Sequence, residues 1–171
     1  MGPWFLTHLS QFDDNPDHPY LEHITQDLAS GHRKCIVSMW NIGADHWITF
    51  VINSCTASIA VGDSFKKSHP SFVSVASQWV ERHMKRTYKQ TILPCTKQED
   101  DFSCGILAMN AIEHYLDPKH YPLVSKTPHA LAASQMSRAI DVIIHHLDSV
   151  RCSSHSCIKL CDLSTFVVAD I

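Results

Sequence analysis

The spacing of apolar and polar positions changes along the chain from a helical period to a strand period and back. A first helical stretch, WFLTHLSQF, precedes YLEHITQDLAS, a short helix that Gly31 ends. Three β-rich runs follow at 34–40, 46–53 and 57–65, separated by short turn-forming loops. Strands joined by such short loops predict an antiparallel meander.

The second half of the chain is predicted to be mainly helical. Pro70 begins a helix with apolar residues at helical spacing, and a further strand is expected at 88–95. Helices follow at 105–116 and from Thr127 to about residue 150. The last helix carries an apolar stripe of Met136, Ile140, Ile143, Leu147 and Val150. This order predicts an α+β fold with a mixed or mostly antiparallel sheet.

Composition and charge narrow the classes of protein. The chain has 171 residues, which fits a single domain over 1–171, and a net charge of −3 that gives no basic face for nucleic acid or an anionic membrane. No apolar run approaches the roughly 18 residues of a membrane span. The seven scattered cysteines and the absence of a secretory signal favour reduced thiols, and hence the nucleus or cytoplasm.

Cys104 lies where an acidic loop, EDD, meets the start of an apolar helix. Free N–H groups at a helix start favour a thiolate, whereas nearby carboxylates oppose it. From this segment alone, a nucleophile and a small buried side chain both remain open.

Three polar residues supply what a nucleophilic cysteine needs. His46 opens the strand 46–53, and Asp63 follows the next strand, so pairing of these strands would let Asp63 accept the Nδ1–H of His46. Gln98, six residues before Cys104, could donate to the same oxyanion as the Cys104 N–H. Each residue also has a plainer interpretation, as a surface His, a turn Asp or an exposed Gln.

In this order the residues resemble the Ulp1/SENP-type ubiquitin-like-protein proteases, which are clan CE cysteine peptidases. The shared pattern is His46-Trp47 opening a strand, Asp63 in GDS, and Gln98 six positions before Cys104-Gly105. The resemblance covers roughly residues 34–116 and implies a papain-like or adenain-like fold with the nucleophile at a helix N-terminus.

The resemblance also implies the chemistry. Cys104 would attack the carbonyl after a Gly-Gly terminus, with His46 as base, Asp63 as its orienting group and Gln98 in the oxyanion hole. Trp47 would wall a narrow tunnel that admits glycines, and Trp40 and Gly105 are further candidates for substrate binding. No cofactor or metal is expected.

Two departures from the family pattern bear on the substrate surface. Ser103 stands where the family often has Asp, and the acids lie earlier in the loop. The family's N-terminal Trp-Leu-x-Asp segment is not found. Trp4, which is followed by Phe5-Leu6-Thr7, is the only Trp before the first predicted strand. The second wall of the tunnel is therefore expected to be missing or divergent, in a catalytic domain abbreviated at its N-terminus.

The expected partner is a ubiquitin-like protein and its conjugates, with SUMO as the first candidate and NEDD8 or ubiquitin second, bound by a monomer. Two other classes remain open: a catalytically silent relative that only binds the modifier, and a thiol redox protein with Cys95 as the nearest second thiol. A zinc site in the cluster Cys152, His155, Cys157 and Cys161 is a weaker interpretation, because the paired spacing of zinc knuckles is absent.

Overall fold

The structure is a computed structural model that describes residues 4–43 and 45–153. Its elements are α1 (Trp4–Ser10), α2 (Pro19–Ala29), β1 (Cys35–Ile42), β2 (His46–Asn53), β3 (Ser58–Gly62), α3 (Pro70–Met84), β4 (Lys89–Ile92), α4 (Cys104–Leu116) and α5 (Pro128–Ser153). Each of the predicted helices and strands is present, which confirms the α+β class.

The strands form one mixed sheet in the order β1-β2-β3-β4. The first three strands pair antiparallel, which confirms the predicted meander. β4 pairs parallel with β3, because α3 lies between them in the chain and carries it back across the sheet. β1 and β4 are the two edge strands of this sheet.

Helices cover both faces of the sheet, and β2 shows how the sequence allows this. Phe50 and Ile52 point into a core built with α1, α2 and α3, whereas Val51 points into a second core built with α4. Thr49 also faces α4, where its hydroxyl donates to the carbonyl oxygen of Ala108. Successive side chains of a strand point to opposite faces, so a strand buried on both sides reads as a nearly continuous apolar run. This packing holds β2 against α4.

Several boundaries differ from the predictions, and two of them matter for the site. β3 ends at Gly62, at the start of the predicted Gly62-Asp63-Ser64 end, so that Asp63 lies in the turn that follows. α4 includes Cys104 as its first residue. β4 is shorter than predicted and ends at Ile92, where its partner β3 also ends at Gly62.

α5 has close to its predicted bounds, and its apolar face is exposed. Its apolar stripe is present but exposed over the described side chains, with Met136 and Ile143 facing solvent. Leu131, near the start of the helix, is the α5 side chain that joins a core cluster. The predicted stripe is therefore present but does not join the described core, and the side chains of Leu147 and Val150 lie outside those described.

The sequence also raised the questions of a metal site and of a membrane span. The candidate zinc cluster lies outside the described residues, apart from the Cys152 backbone in α5. Within 4–43 and 45–153, no group of three or more His, Cys, Asp or Glu side chains is arranged to hold a metal ion. None of the described helices is long and apolar enough to span a bilayer.

Candidate active site

The turn after β3 holds the polar centre of the site. Asp63 lies one residue past the strand that pairs with β2, and its Oδ1 atom is 2.9 Å from Nε2 of His46. The side chain of Asp63 is only 2% exposed. Burial raises the pKa of this carboxyl, but hydrogen bonds from His69, His46 and the Phe65 N–H outweigh burial and bring it below its usual value. Asp63 is therefore an anion at neutral pH.

The bond to Asp63 uses the nitrogen of His46 opposite to the one predicted. Because an ionised carboxylate can only accept, this bond requires the hydrogen of a neutral His46 ring to be on Nε2. Nδ1 is buried and has no hydrogen-bond partner among the described residues. The adjacency of His46 and Asp63 is as predicted, but the nitrogen that is left free to take a proton is Nδ1.

Cys104 is the first residue of α4, and its side chain lies beside the start of β2. Its Sγ atom is 3.9 Å from the carbonyl oxygen of Asp45, the residue before His46. The first N–H groups of an α-helix have no acceptor within the helix, and the side chain of Ser103 does not cap them. The structure thus brings the predicted nucleophile and the predicted base to the same corner, with free helix N–H donors beside the thiol.

Gln98 is held against the same turn. Its backbone N–H donates to the carbonyl of Ser64 at 2.9 Å, and its side-chain Oε1 accepts from the Ser64 hydroxyl at 2.8 Å. The amide Nε2 lies 2.7 Å from the carbonyl oxygen of Asp100 and 3.2 Å from its Oδ1. The dipeptide Asp63-Ser64 therefore anchors both His46 and the loop that carries Gln98.

Asp100 organises the rest of this loop. Its carboxylate accepts from the N–H groups of Phe102 and Ser103, and from the Ser103 hydroxyl at 2.6 Å. Ser103 is fully buried. The carboxylate expected directly before the cysteine is thus supplied three residues earlier, and Ser103 connects it to the helix. The other acids of the loop differ: Glu99 pairs with Lys126, and Asp101 is exposed.

An open groove adjoins the thiol. It is lined by Met39, Asn41, Asp45, Trp47, Asp101, Phe102, Cys104, Gly105, Ile106 and Met109. Trp47 lies across from Gly105, where an added Cβ would meet the indole Cδ1 at 3.6 Å. That is an ordinary contact distance, so the chain itself does not require glycine here. An alanine would instead occupy space in the groove.

The structure does not bring Trp40 to this groove. Trp40 pairs with Ile48 across the strands and packs on Phe72 of α3, with ring centroids 4.6 Å apart. Its neighbours Met39 and Asn41 line the groove instead, because alternate residues of β1 face opposite sides of the sheet. The side chain of Trp4, which is the only Trp near the N-terminus, lies outside those described.

Sequence reasoning missed three residues around Asp63. Ser64 supports Gln98, Phe65 stacks on the His46 ring at 4.6 Å, and His69 places Nε2 2.6 Å from Oδ2 of Asp63. The serine of GDS was visible as part of the pattern but carried no role. His69 has no sequence signal, because the path of the turn back to Asp63 cannot be read from residue types.

Cys95 differs from Cys104 in its surroundings. It is buried among apolar residues that include Leu107, and burial raises the pKa of its thiol to about 11. A thiol that stays protonated at neutral pH attacks a disulfide or sulfenic acid slowly. This environment weakens the alternative of a redox pair between Cys95 and Cys104.

The chain is similar to a known family of proteases. The profile of the Ulp1 protease family, C-terminal catalytic domain, matches residues 1–137. No curated protein sequence matches the chain.

Two solved structures of the SUMO protease Ulp1 share the fold. The one with its catalytic cysteine oxidised to a sulfonic acid is 19% identical with a TM-score of 0.53, covering 77% of this chain and 62% of the solved one. The sulfenic acid form is 20% identical with a TM-score of 0.52, covering 78% and 63%. This chain thus spans less than two thirds of the solved chains, and identities this low establish the fold alone.

Proposed function

The chain belongs to the Ulp1 protease family, and we propose that it is a cysteine peptidase that cleaves after the Gly-Gly terminus of a ubiquitin-like protein. One observation carries the proposal: His46 is bonded through Nε2 to a buried carboxylate, its Nδ1 has no hydrogen-bond partner in the described part of the chain, and Cys104 lies at the same corner of the sheet. These are the nucleophile, base and orienting group of a thiol protease.

The reaction follows from these atoms. Nδ1 of His46 takes the proton of the Cys104 thiol, and the thiolate forms a bond to the substrate carbonyl carbon. His46 then gives that proton to the leaving amine, which breaks the amide bond and leaves a thioester on Cys104. Water, deprotonated by His46, hydrolyses the thioester and restores the thiol. Asp63 remains ionised throughout and stabilises the imidazolium form of His46.

The oxyanion of each tetrahedral intermediate needs donors near Cys104. The backbone N–H at the start of α4 is one, and the Gln98 amide is the second. Nε2 of Gln98 contacts Asp100 twice, at 2.7 Å to its carbonyl oxygen and at 3.2 Å to Oδ1, so an oxyanion would have to take the place of one of these acceptors. Gln98 thus remains a proposed donor that Asp100 holds in place.

The groove beside Cys104 fits a chain end without side chains. Trp47 and Gly105 both line this groove beside Cys104, and an added Cβ on Gly105 would already lie 3.6 Å from the indole. A substrate tail in the groove would therefore run along an apolar wall next to the helix start, where little space is left for side chains. This supports a Gly-Gly tail as the substrate.

SUMO is the first candidate for the modifier, because both solved neighbours above are named as SUMO proteases. NEDD8 and ubiquitin are the alternatives, and removal of the modifier from conjugates and processing of its precursor are both within the proposed chemistry. We propose that a monomer carries this activity in the nucleus or cytoplasm.

The test uses SUMO, NEDD8 and ubiquitin probes that carry a C-terminal electrophile. We expect a covalent adduct with at least one probe, SUMO first, and its complete loss in Cys104→Ala. Cys55→Ala is the matched control, because Cys55 is an exposed thiol away from the site and its removal should leave the adduct unchanged.

Two other outcomes would replace the proposal. A probe that binds reversibly but forms no adduct would identify a silent relative that only recognises the modifier. An adduct that persists in Cys104→Ala would mean that another thiol reacts, and the assignment of the nucleophile would be wrong.

A further inference from the structure

Two histidines share the carboxylate of Asp63. His46 approaches Oδ1 through Nε2 at 2.9 Å, and His69 approaches Oδ2 through its own Nε2 at 2.6 Å. His69 comes from the end of the turn between β3 and α3, and its side chain is 13% exposed. The reaction as described above gives His69 no part.

The contacts to the two oxygens fix the plane of the carboxylate. Oδ1 also accepts the Phe65 N–H at 2.6 Å, so both oxygens have protein donors and water has little access. Without His69, Oδ2 would be a buried acceptor without a partner, and the group could rotate about its Cβ–Cγ bond to find one. Such a rotation would move Oδ1 away from His46.

We propose that His69 is a positioning residue for the reaction, because its hydrogen bond to the second oxygen of Asp63 keeps the first oxygen aligned on Nε2 of His46. The inference rests on the proposed function and adds a fourth member to the Cys104, His46 and Asp63 set. It concerns how the base is held and assigns His69 no contact with the substrate.

His69 can donate to Asp63 either as a neutral ring or as a cation, and the charges around it favour the neutral ring for this role. Among the described residues that line the space around His69, the charged groups are Asp63, Lys66 and Lys67, whereas α3 and β4 contribute Pro70, Val73, Gln90, Thr91, Ile92 and Leu93. Lys66 is held by the carbonyl oxygen of Cys95, and Lys67 lies over the Phe65 ring. A second proton on His69 would place a cation on Asp63 and cancel part of the charge that stabilises protonated His46. A neutral donor therefore serves the positioning role better than a charged one.

Two substitutions separate positioning from packing. His69→Phe keeps a planar ring but removes the donor, whereas His69→Gln keeps a neutral N–H donor at a similar reach. The measurement is the rate of Cys104 alkylation by iodoacetamide from acid to neutral pH, followed by mass spectrometry, so no protein substrate is needed. Thermal unfolding checks that each variant is folded, and His69→Ala replaces His69→Phe if the latter is not.

Opposite changes are expected for the two variants. His69→Phe should lower the alkylation rate about tenfold, within the range for coupled members of one hydrogen-bond network. Its acid limb should move to higher pH by about half a unit or more, because a buried Asp63 with one donor fewer takes up a proton more readily. His69→Gln should stay within about threefold of the unsubstituted protein, with an acid limb at the same or a lower pH. In an Asp63→Asn background, His69→Phe should have no further effect.

The results that overturn the inference are distinct from those that overturn the function. If His69→Phe keeps the rate and pH profile of the unsubstituted protein, or if His69→Gln falls as far as His69→Phe, the role of His69 is packing. In that case labelling by the electrophilic probes would still support the protease. If Cys104 in the unsubstituted protein reacts no faster than the exposed Cys55 and no probe labels it, the function and the inference fail together.

Discussion

The two sides of Cys104 are built in different ways. On the side of Asp63, polar groups are buried and bonded to one another: Asp63, Ser64 and Gln98 are each at most 5% exposed. On the side of the groove the residues are largely apolar and open, with Trp47 38% exposed and Phe102 73% exposed. Buried polar networks hold a geometry, whereas exposed apolar patches mark places where another molecule binds. We therefore propose that the Asp63 side carries the chemistry and that the groove binds the substrate.

The largest effect is expected from breaking the polar side at its centre. Asp63→Asn would present an amide N–H or a neutral oxygen to His46 and remove the charge that stabilises its protonated form. We expect kcat/KM for a modifier-derived substrate to fall about 10³- to 10⁴-fold, as in other triads that lose this charge.

Asp27→Asn is the matched control for this substitution. Asp27 forms a 2.9 Å ion pair with Arg33 at the end of α2, away from the site. That variant should lose little activity. A loss of less than tenfold in Asp63→Asn would show that the carboxylate does not control His46.

A smaller effect is expected from loosening the loop that carries Gln98. Asp100→Ala removes the acceptor of two backbone N–H groups and of the Ser103 hydroxyl. We expect kcat to fall about 10²-fold, which is the size of losing one oxyanion donor, with KM nearly unchanged.

Glu99→Ala tests whether that loss is specific to Asp100. Glu99 is the neighbouring acid, but its partner is Lys126 on the surface. Its removal should change kcat by less than about twofold, since exposed ion pairs contribute little. Equal losses in the two variants would mean that the loop responds to charge rather than to the bonds of Asp100.

These expectations show which parts of the site the sequence could provide. The adjacency of His46 and Asp63 followed from strand pairing, because both lie at ends of neighbouring strands. The choice of Nε2 could not be predicted, since it depends on the ring's rotation at the end of β2. Asp100 was visible only as one acid of three, and its role depends on how a loop without regular structure folds back on itself.

Trp40 shows a different limit. The sequence places both Trp40 and Trp47 near the candidate base, but the register pairs Trp40 with Ile48 and turns it toward α3. The face of a strand residue is decided by register, and a shift of one residue would reverse it. Sequence alone could therefore identify the strands but not which tryptophan lines the groove.

The two tryptophans allow the groove to be tested against the core. Trp47→Ala should raise KM about tenfold, the lower range for an aromatic residue central to an interface, with little change in kcat or thermal stability. Trp40→Ala should instead lower the free energy of unfolding by about 2–3 kcal/mol, because it removes a ring packed on Phe72. Steady-state kinetics and chemical denaturation on both variants separate these effects. A rise in KM for Trp40→Ala without loss of stability would mean that Trp40 contacts the substrate, contrary to its position in the structure.

The smallest expected effect lies at the rim of the groove. Phe102 is exposed directly before Ser103 and Cys104, at the groove, and we expect it to contact the folded body of a modifier rather than the reacting bond. Phe102→Ser should raise KM for the intact modifier about two- to threefold, as expected for a rim residue rather than a central one, and leave cleavage of a short Gly-Gly peptide unchanged. Ile92→Ser is the control, because Ile92 is 86% exposed on β4 and does not line the groove. If the two substitutions raise KM equally, or if Phe102→Ser slows the peptide as well, the open side of Cys104 is not the surface that receives the modifier.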